Sequence, residues 1–386
     1  MESNLLDQRL ETKGSPRYYI ELLGKALDVI DVLGRHSGEL RLTEIANASQ
    51  IDKATVFRIL YTLEGRGFVY RDPGTKKFRL IMGYRRYRVG YAQLSAQEPF
   101  SRAVTQGLID QAEKYHVELL VADNRDNADQ AIKNAEWMIR QKVDFAIEFQ
   151  VHYRVAPLIA EMFARARIPT MAIDIPQPGA VYFGADNYAA GLLGGEALGK
   201  FAQEEWRGGV ERLLLLEIAR AGRIPHSRMI GTLRGIRKVL PHLNARIVVR
   251  RDGKGSEEGG YQATMRVLRS LSPRKRILIA AANDSTALGA LRAVQECGHE
   301  RFAAIVGQGF NPDPFLEDTI RRPGSPLIGT VGYFPERYGS KIMPAVLRWL
   351  NNEQVPPAIH TDHVLVTRAN IDDLCTQRAH CALRAD

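Results

Sequence analysis

The 386-residue sequence is poor in the features that mark several large classes of protein. Cysteine is scarce: Cys297, Cys375 and Cys381 are an odd, widely spread set with two near the C-terminal end. That set supports neither a disulfide framework nor a zinc knuckle. No run of about 18 or more apolar residues occurs, which excludes a membrane-spanning helix. The first twenty residues carry acids and no apolar core of signal-peptide type, so a reducing cytoplasm is the expected compartment. Catalytic signatures are also missing. There is no Gly-x-Ser-x-Gly elbow, no matched carboxylate pair and no Cys/His arrangement. The stretch Gly194-Gly-Glu-Ala-Leu-Gly-Lys200 copies P-loop spacing, but Phe201 replaces the Ser/Thr that would hold Mg²⁺. His360-Thr-Asp-His363 has metal-like letters yet leads into an apolar strand with no further ligands. No enzymatic activity, cofactor or metal is expected.

What the chain does hold is apolar material for a core and a local excess of positive charge. Hydrophobic residues make up 45% and charged residues 25%, a globular balance, and the length suggests two or three domains. The net charge is +9. Between Lys53 and Arg88 there are ten Lys/Arg (Lys53, Arg58, Arg66, Arg71, Lys76, Lys77, Arg79, Arg85, Arg86, Arg88) against Glu64 and Asp72, which is +8. Nearly all of the imbalance therefore sits in one short stretch, as in a nucleic-acid-binding module.

The pattern of residues 20–80 agrees with that assignment. Leu27, Ile30 and Leu33 are placed near one face of a first helix that Gly34 can stop. Thr43 is the expected N-cap of a second helix, and Asn47–Gln50 the turn after it. Asp52 caps a third helix, Lys53–Glu64, with Val56, Ile59, Leu60 and Leu63 inward and Lys53, Thr55, Arg58 and Tyr61 on the other face. Phe68–Arg71 and Lys77–Leu80 form a hairpin around Asp72-Pro-Gly-Thr75. This is a winged helix-turn-helix. The third helix can enter a major groove while Arg71, Lys76, Lys77 and Arg79 of the wing reach phosphates. The segments KALDVIDVLG, LTEIANASQIDKATVFRILYTLEGRGFVYRDP and KKFRL resemble the DNA-binding domain of the IclR family of bacterial transcription regulators. The resemblance implies that Lys53, Thr55, Arg58 and Tyr61 lie at or near double-stranded DNA, with Thr43 beside them.

After residue 86 the chain departs from an IclR regulator. Short apolar strands alternate with amphipathic helices, which indicates α/β structure with doubly wound parallel sheets. Two lobes of similar size are expected, with a ligand between them at the strand C-termini. Val89–Phe100, Leu120–Asp129, Asp186–Gly191, Ala281–Arg292 and Gly329–Gly339 resemble, in order, the periplasmic-binding-protein-like effector domains of LacI-type regulators and sugar-binding proteins. Expected boundaries are 18–86 for the winged helix and 87–370 for the sensing domain. Within the latter, lobe 1 takes about 87–186 plus a crossover near 310–332, and lobe 2 takes about 188–309 plus 333–370.

Sugars are held by planar side chains that hydrogen-bond hydroxyls and by rings packed on C–H faces. Asp284, at a strand end before a helix, is the strongest acceptor, with helix N-cap as its other role. The resemblance implies that it meets ligand, that Phe100 and Tyr333 line the cleft, and that an arginine near Arg228 reaches ligand. His226 and Arg228 both fit that last position. Gln308 and Asn311 follow a strand where the family pattern often has an aspartate, which leaves the ligand open. Ser95, Glu148 and Asp174 also end strands at the cleft. The expected protein is a ligand-responsive regulator, dimeric on an inverted-repeat operator, that senses a sugar or polyol and has no membrane partner. A solute receptor for sugar transport is the alternative.

Overall fold

The structure, a computed structural model, describes residues 19–36, 38–81, 87–272 and 274–376. Arg85, Arg86 and Cys381 lie outside the described residues. The chain divides into two compact units, Met1–Arg86 and Tyr87–Asp386.

The first unit runs α1 (Glu21–Gly34), α2 (Leu42–Ser49), α3 (Lys53–Gly65), β1 (Val69–Arg71) and β2 (Phe78–Leu80), the strands forming an antiparallel hairpin. Val29, Leu33, Ile45, Val56, Ile59, Leu60, Leu63, Val69 and Phe78 make its core. Three expectations need correction. Leu27 is 54% exposed, because residues four apart share a helix face and it is Val29 that pairs with Leu33. Thr43 does not cap α2. The helix begins at Leu42, Arg41 holds the N-cap position, and the Glu44 carboxylate accepts the Arg41 N–H at 2.6 Å. The helix also continues to Ser49, so the turn contracts to Gln50 at φ 55°. Asp52 does cap α3, accepting the Thr55 N–H at 2.9 Å.

The second unit is built on two six-stranded sheets. The first lobe alternates β3 (Arg88–Gln93), α4 (Pro99–Lys114), β4 (Glu118–Asp123), α5 (Ala128–Arg140), β5 (Phe145–Phe149), α6 (Ala156–Arg165), β6 (Thr170–Ile173) and β7 (Val181–Gly184). The long α7 (Asn187–Trp206) leads into the second lobe. There follow β8 (Arg212–Glu217), α8 (Arg223–Val239), β9 (Val248–Asp252), α9 (Glu257–Leu268), β10 (Ile277–Ala281), α10 (Asp284–Glu296), β11 (Ala303–Gly309), α11 (Pro314–Arg321) and β12 (Leu327–Gly332). The chain then returns to the first lobe as α12 (Tyr338–Leu350) and β13 (Ala358–His360), and ends in the second as β14 (Val364–Thr367). The orders are β13-β7-β6-β5-β3-β4 and β14-β12-β11-β10-β8-β9, the same strand order twice. All neighbours are parallel except β12 and β14.

The expected crossover was inverted. Residues 310–332 stay in the second lobe, since β12 pairs β11, whereas α12 and β13 belong to the first. The cause is burial: Tyr338, Ile342 and Val346 of α12 pack into the first-lobe core with Val104 and Leu108 of α4. His360 and Val364 consequently stand in different sheets, and the metal-like letters between them are a passage between lobes. The glycine-rich stretch of α7 is explained by packing. A Cβ on Gly191 would stand 1.9 Å from the Arg228 carbonyl oxygen, and one on Gly195 would stand 2.1 Å from that of Thr232. The two helices α7 and α8 therefore touch backbone to backbone.

Candidate functional site

In the first unit the side chains expected at DNA fall into two groups. Lys53, Arg58 and Tyr61 project from the exposed face of α3, with Tyr61 68% exposed and Thr55 half-buried at the cap. Phe57, which the sequence reading missed, is exposed beside Tyr61 with ring centroids 6.4 Å apart. Thr43 is exposed on α2. In the wing, Lys76 is exposed at φ 58° and Lys77 half-buried. The other two wing cations are drawn back onto the hairpin: Arg71 lies 5.4 Å from the Phe78 ring centre and Arg79 4.9 Å from that of Tyr70. These cation–π contacts arise because guanidinium is weakly hydrated and settles on ring faces.

In the second unit the strand C-termini of both sheets face one cleft, where doubly wound folds bind ligands. Arg228 is its centre. The side chain is buried, its Nε donates to Asn187 Oδ1 at 3.1 Å, its Nη1 donates to the Ala282 carbonyl, and its guanidinium lies 5.2 Å from the Tyr333 ring centre. Near it, Asp174 directly follows β6 with φ 61°. Loss of hydration pushes its carboxyl up to about 6, against the pull of Arg228. Tyr182, Tyr333 and Tyr338 surround this pair, each with its hydroxyl pKa raised by burial. The Tyr338 hydroxyl is buried with no partner among the described residues. Tyr333 donates to Gln308 Oε1 at 2.5 Å. Phe100 sets its ring edge-on to Tyr338 at 5.5 Å, and a Cβ on Gly309 across the cleft would stand 3.5 Å from it.

Other expected site residues are placed differently. Asp284 is fully buried, with Oδ1 accepting Thr330 Oγ1 at 2.6 Å and Oδ2 accepting the Asn311 N–H at 2.9 Å. It shapes the 309–311 loop, and the N-cap of α10 is Asn283, which accepts the Thr286 N–H. Glu148 is 1% exposed with neither carboxylate oxygen hydrogen-bonded, and burial drives its pKa well up. It shares a sheet face with Ala146, under α5 and α6, because alternate strand residues point alike. Ser95 is tied into its own loop by Ser101 Oγ and the Gln97 N–H. His226 pairs with Glu217 at 3.4 Å and lines a neighbouring cavity. Asn187, Tyr182 and Tyr338 carried no advance signal, since aromatic and hinge residues read as ordinary core.

The lobes also meet at the cleft mouth. Arg220 of the second lobe donates to Asp126 of the first at 2.5 Å and to the Lys254 carbonyl. The Tyr153 N–H donates to the Arg220 carbonyl at 3.1 Å, and Val151, Ala156 and Ile175 pack on Ile218 and Ala221. Among the described residues no group of three or more His, Cys, Asp or Glu is arranged to hold a metal.

Fold and cleft together define a two-lobed α/β protein with a polar cleft between its lobes, in one chain with a helix-turn-helix. Residues 89–354 match the periplasmic binding protein domain family, and the chain belongs to that family. Residues 22–73 match the IclR helix-turn-helix domain. An ABC transporter L-arabinose-binding periplasmic protein of Azospirillum brasilense is 31% identical over 117 residues, 30% of this chain and 34% of the relative. The HTH-type transcriptional regulator XynR of Escherichia coli is 30% identical over 63 residues, 16% of this chain and 25% of the relative. The chain thus spans about a third or less of the curated relatives it matches. An ABC transporter periplasmic solute binding protein of Actinobacillus succinogenes, with bound D-allose, superposes with a TM-score of 0.64 at 18% identity, covering 74% of this chain and 99% of that one.

Proposed function

We propose that the protein is a DNA-binding transcription regulator whose second unit senses a neutral sugar or polyol. The observation that carries this reading is the joining of an IclR helix-turn-helix to a sugar-receptor fold in one chain. The cleft chemistry supports it. Asp174 and Arg228 bring opposite charges, and the surrounding hydroxyls and amides suit a ligand with many O–H groups and no net charge. Phe100 and Tyr333 supply rings for its C–H faces. Burial beside Asn187 and Tyr333 favours Arg228 over His226 as the ligand-facing cation, and Asp174 joins Asp284 as a proposed acceptor.

Ligand favours the closed lobes only through its higher affinity for them, and that difference is the free energy available to change DNA binding. A homodimer on an inverted repeat in the cytoplasm is part of the proposal, because one winged helix makes few base contacts. A transport receptor would share the cleft but has no use for the basic face of α3. The test is a DNA-shift titration with promoter fragments near the gene, with and without a panel of sugars and polyols. Sugar binding without binding to any DNA at low salt would remove the regulator and favour the receptor.

A further inference from the structure

Beside the buried cluster of Asp174, Arg228, Tyr182, Tyr333 and Tyr338 lies a cavity of about 620 Å³ bounded by both lobes. Tyr153, Ile175, Pro176 and Pro178 line it from the first lobe, and Ile224 and Met229 from the second. Most of its wall is apolar, with Glu217, Arg223 and His226 as the charged or titratable side chains, so a free sugar would leave much of that surface unmatched. The acid at its edge, Glu217, is already engaged by Arg250 and His226. Its apolar surface is also unusually wet: Tyr153 is 44% and Ile224 48% exposed, on opposite lobes.

The cavity shares its wall with that cluster. Ile175 follows Asp174, Met229 follows Arg228, and Ala282, whose carbonyl takes the Arg228 guanidinium, lines the cavity itself. The Tyr153 ring is held in place by the second lobe, since a Cβ on Gly222 would stand 2.8 Å from its Cγ. A ring facing prolines and branched aliphatics is the environment that aromatic groups occupy.

We propose that the effector is a glycoside rather than a free sugar: the glycosyl part sits at Asp174 and Arg228, and an apolar, aromatic-sized aglycone fills this cavity. The inference rests on the sugar-sensing reading above. A free monosaccharide leaves the cavity to solvent, whereas an aryl glycoside buries its apolar surface in the same act of closure.

The experiment is calorimetric titration of the full chain with free pentoses and hexoses, their methyl glycosides and their 4-nitrophenyl glycosides. At least one 4-nitrophenyl glycoside is expected to bind about tenfold or more tightly than both its parent sugar and its methyl glycoside. Ile224→Asp should remove that advantage and leave the parent sugar within about twofold. Residue 224 is at the second position of α8, where a carboxylate suits the helix N-terminus, so the variant should fold. Pro178→Asp, on the opposite lobe, should act in the same way. Parent sugars that bind with no gain from the aryl group overturn the inference and leave the sugar reading standing. Failure of every sugar and glycoside removes that reading and the inference with it. An aryl advantage that survives both substitutions, or 4-nitrophenol alone binding as well as its glycosides, also overturns it.

Discussion

The two units use charge in opposite ways. In the helix-turn-helix unit Lys53, Lys76 and Lys77 enter no ion pair among the described residues and face solvent in whole or part. In the two-lobed unit Arg228 is committed to Asn187 and Ala282, and Asp284 to Thr330 and Asn311. The difference follows from the partner. DNA brings its own dense negative charge and releases counterions when cations reach it, so the protein keeps its cations free. The neutral ligand proposed for the cleft would bring no charge, and an unpaired ion buried there would cost several kcal/mol, in keeping with ionic groups that already have partners.

Ionic strength should separate the units most sharply. Raising salt from 50 to 200 mM should weaken DNA binding by orders of magnitude, as expected of a site with many phosphate contacts. Ligand affinity should stay nearly constant, and a steep salt dependence there would break the contrast. Arg228→Ala comes next. It leaves Asn187 and Asp174 without their partner and should cost about 2–5 kcal/mol of ligand binding, roughly 30-fold to several thousand-fold in Kd. DNA affinity without ligand should not change, which gel-shift measurements can check. Arg58→Ala should weaken operator binding by about 1–3 kcal/mol if it reads a base. Replacing Lys76 by Ala should instead lower the salt slope by roughly one unit, the mark of a phosphate contact.

Smaller effects test the closed cleft. Arg220→Ala removes the link to Asp126 without touching the Asp174–Arg228 cluster, so ligand affinity should fall a few-fold and small-angle scattering should report a more open ligand-free protein. For Asp174 the sign is unusual. Its folded pKa of about 6 exceeds the ordinary carboxylate value, so the folded state binds more protons between about pH 4 and 6. Stability should therefore fall as pH rises through that window, and Asp174→Asn should flatten the fall. Ligand affinity should rise over the same range as the carboxylate becomes a full acceptor, a trend that the same substitution abolishes.

The helix-turn-helix was readable because its signals are local: helix period, the Asp52 cap and the Asp72-Pro-Gly turn act on neighbouring residues. The alternation that marks two doubly wound lobes was equally readable. What could not be read was which lobe owns each late segment. The strand at 327–332 and the helix at 338–350 carry the same apolar periodicity whichever sheet receives them, and only packing on β11 and α4 decides. The site divides along the same line. Asp174 was legible as one of several strand-end groups, and Arg228 through the family resemblance, with His226 beside it. Tyr182 and Tyr338 were not, because a buried tyrosine and a cleft tyrosine look alike in sequence. Asp284 is ambiguous for a related reason: a strand-end aspartate reads the same whether it meets ligand or pins a loop, and here it bonds Thr330 and the Asn311 N–H.

The backbone contact between α7 and α8 bears on how this protein tolerates change. Arg228 is set in place partly by the absence of a side chain at Gly191, which meets the Arg228 carbonyl oxygen directly. A methyl group there would push the first turns of α8 away from the hinge and carry the guanidinium with them. Gly191→Ala, conservative by chemistry, would thus act as a lesion of the effector site. Sequence drift in this sensor is limited as much by a helix seam as by the groups that face the ligand.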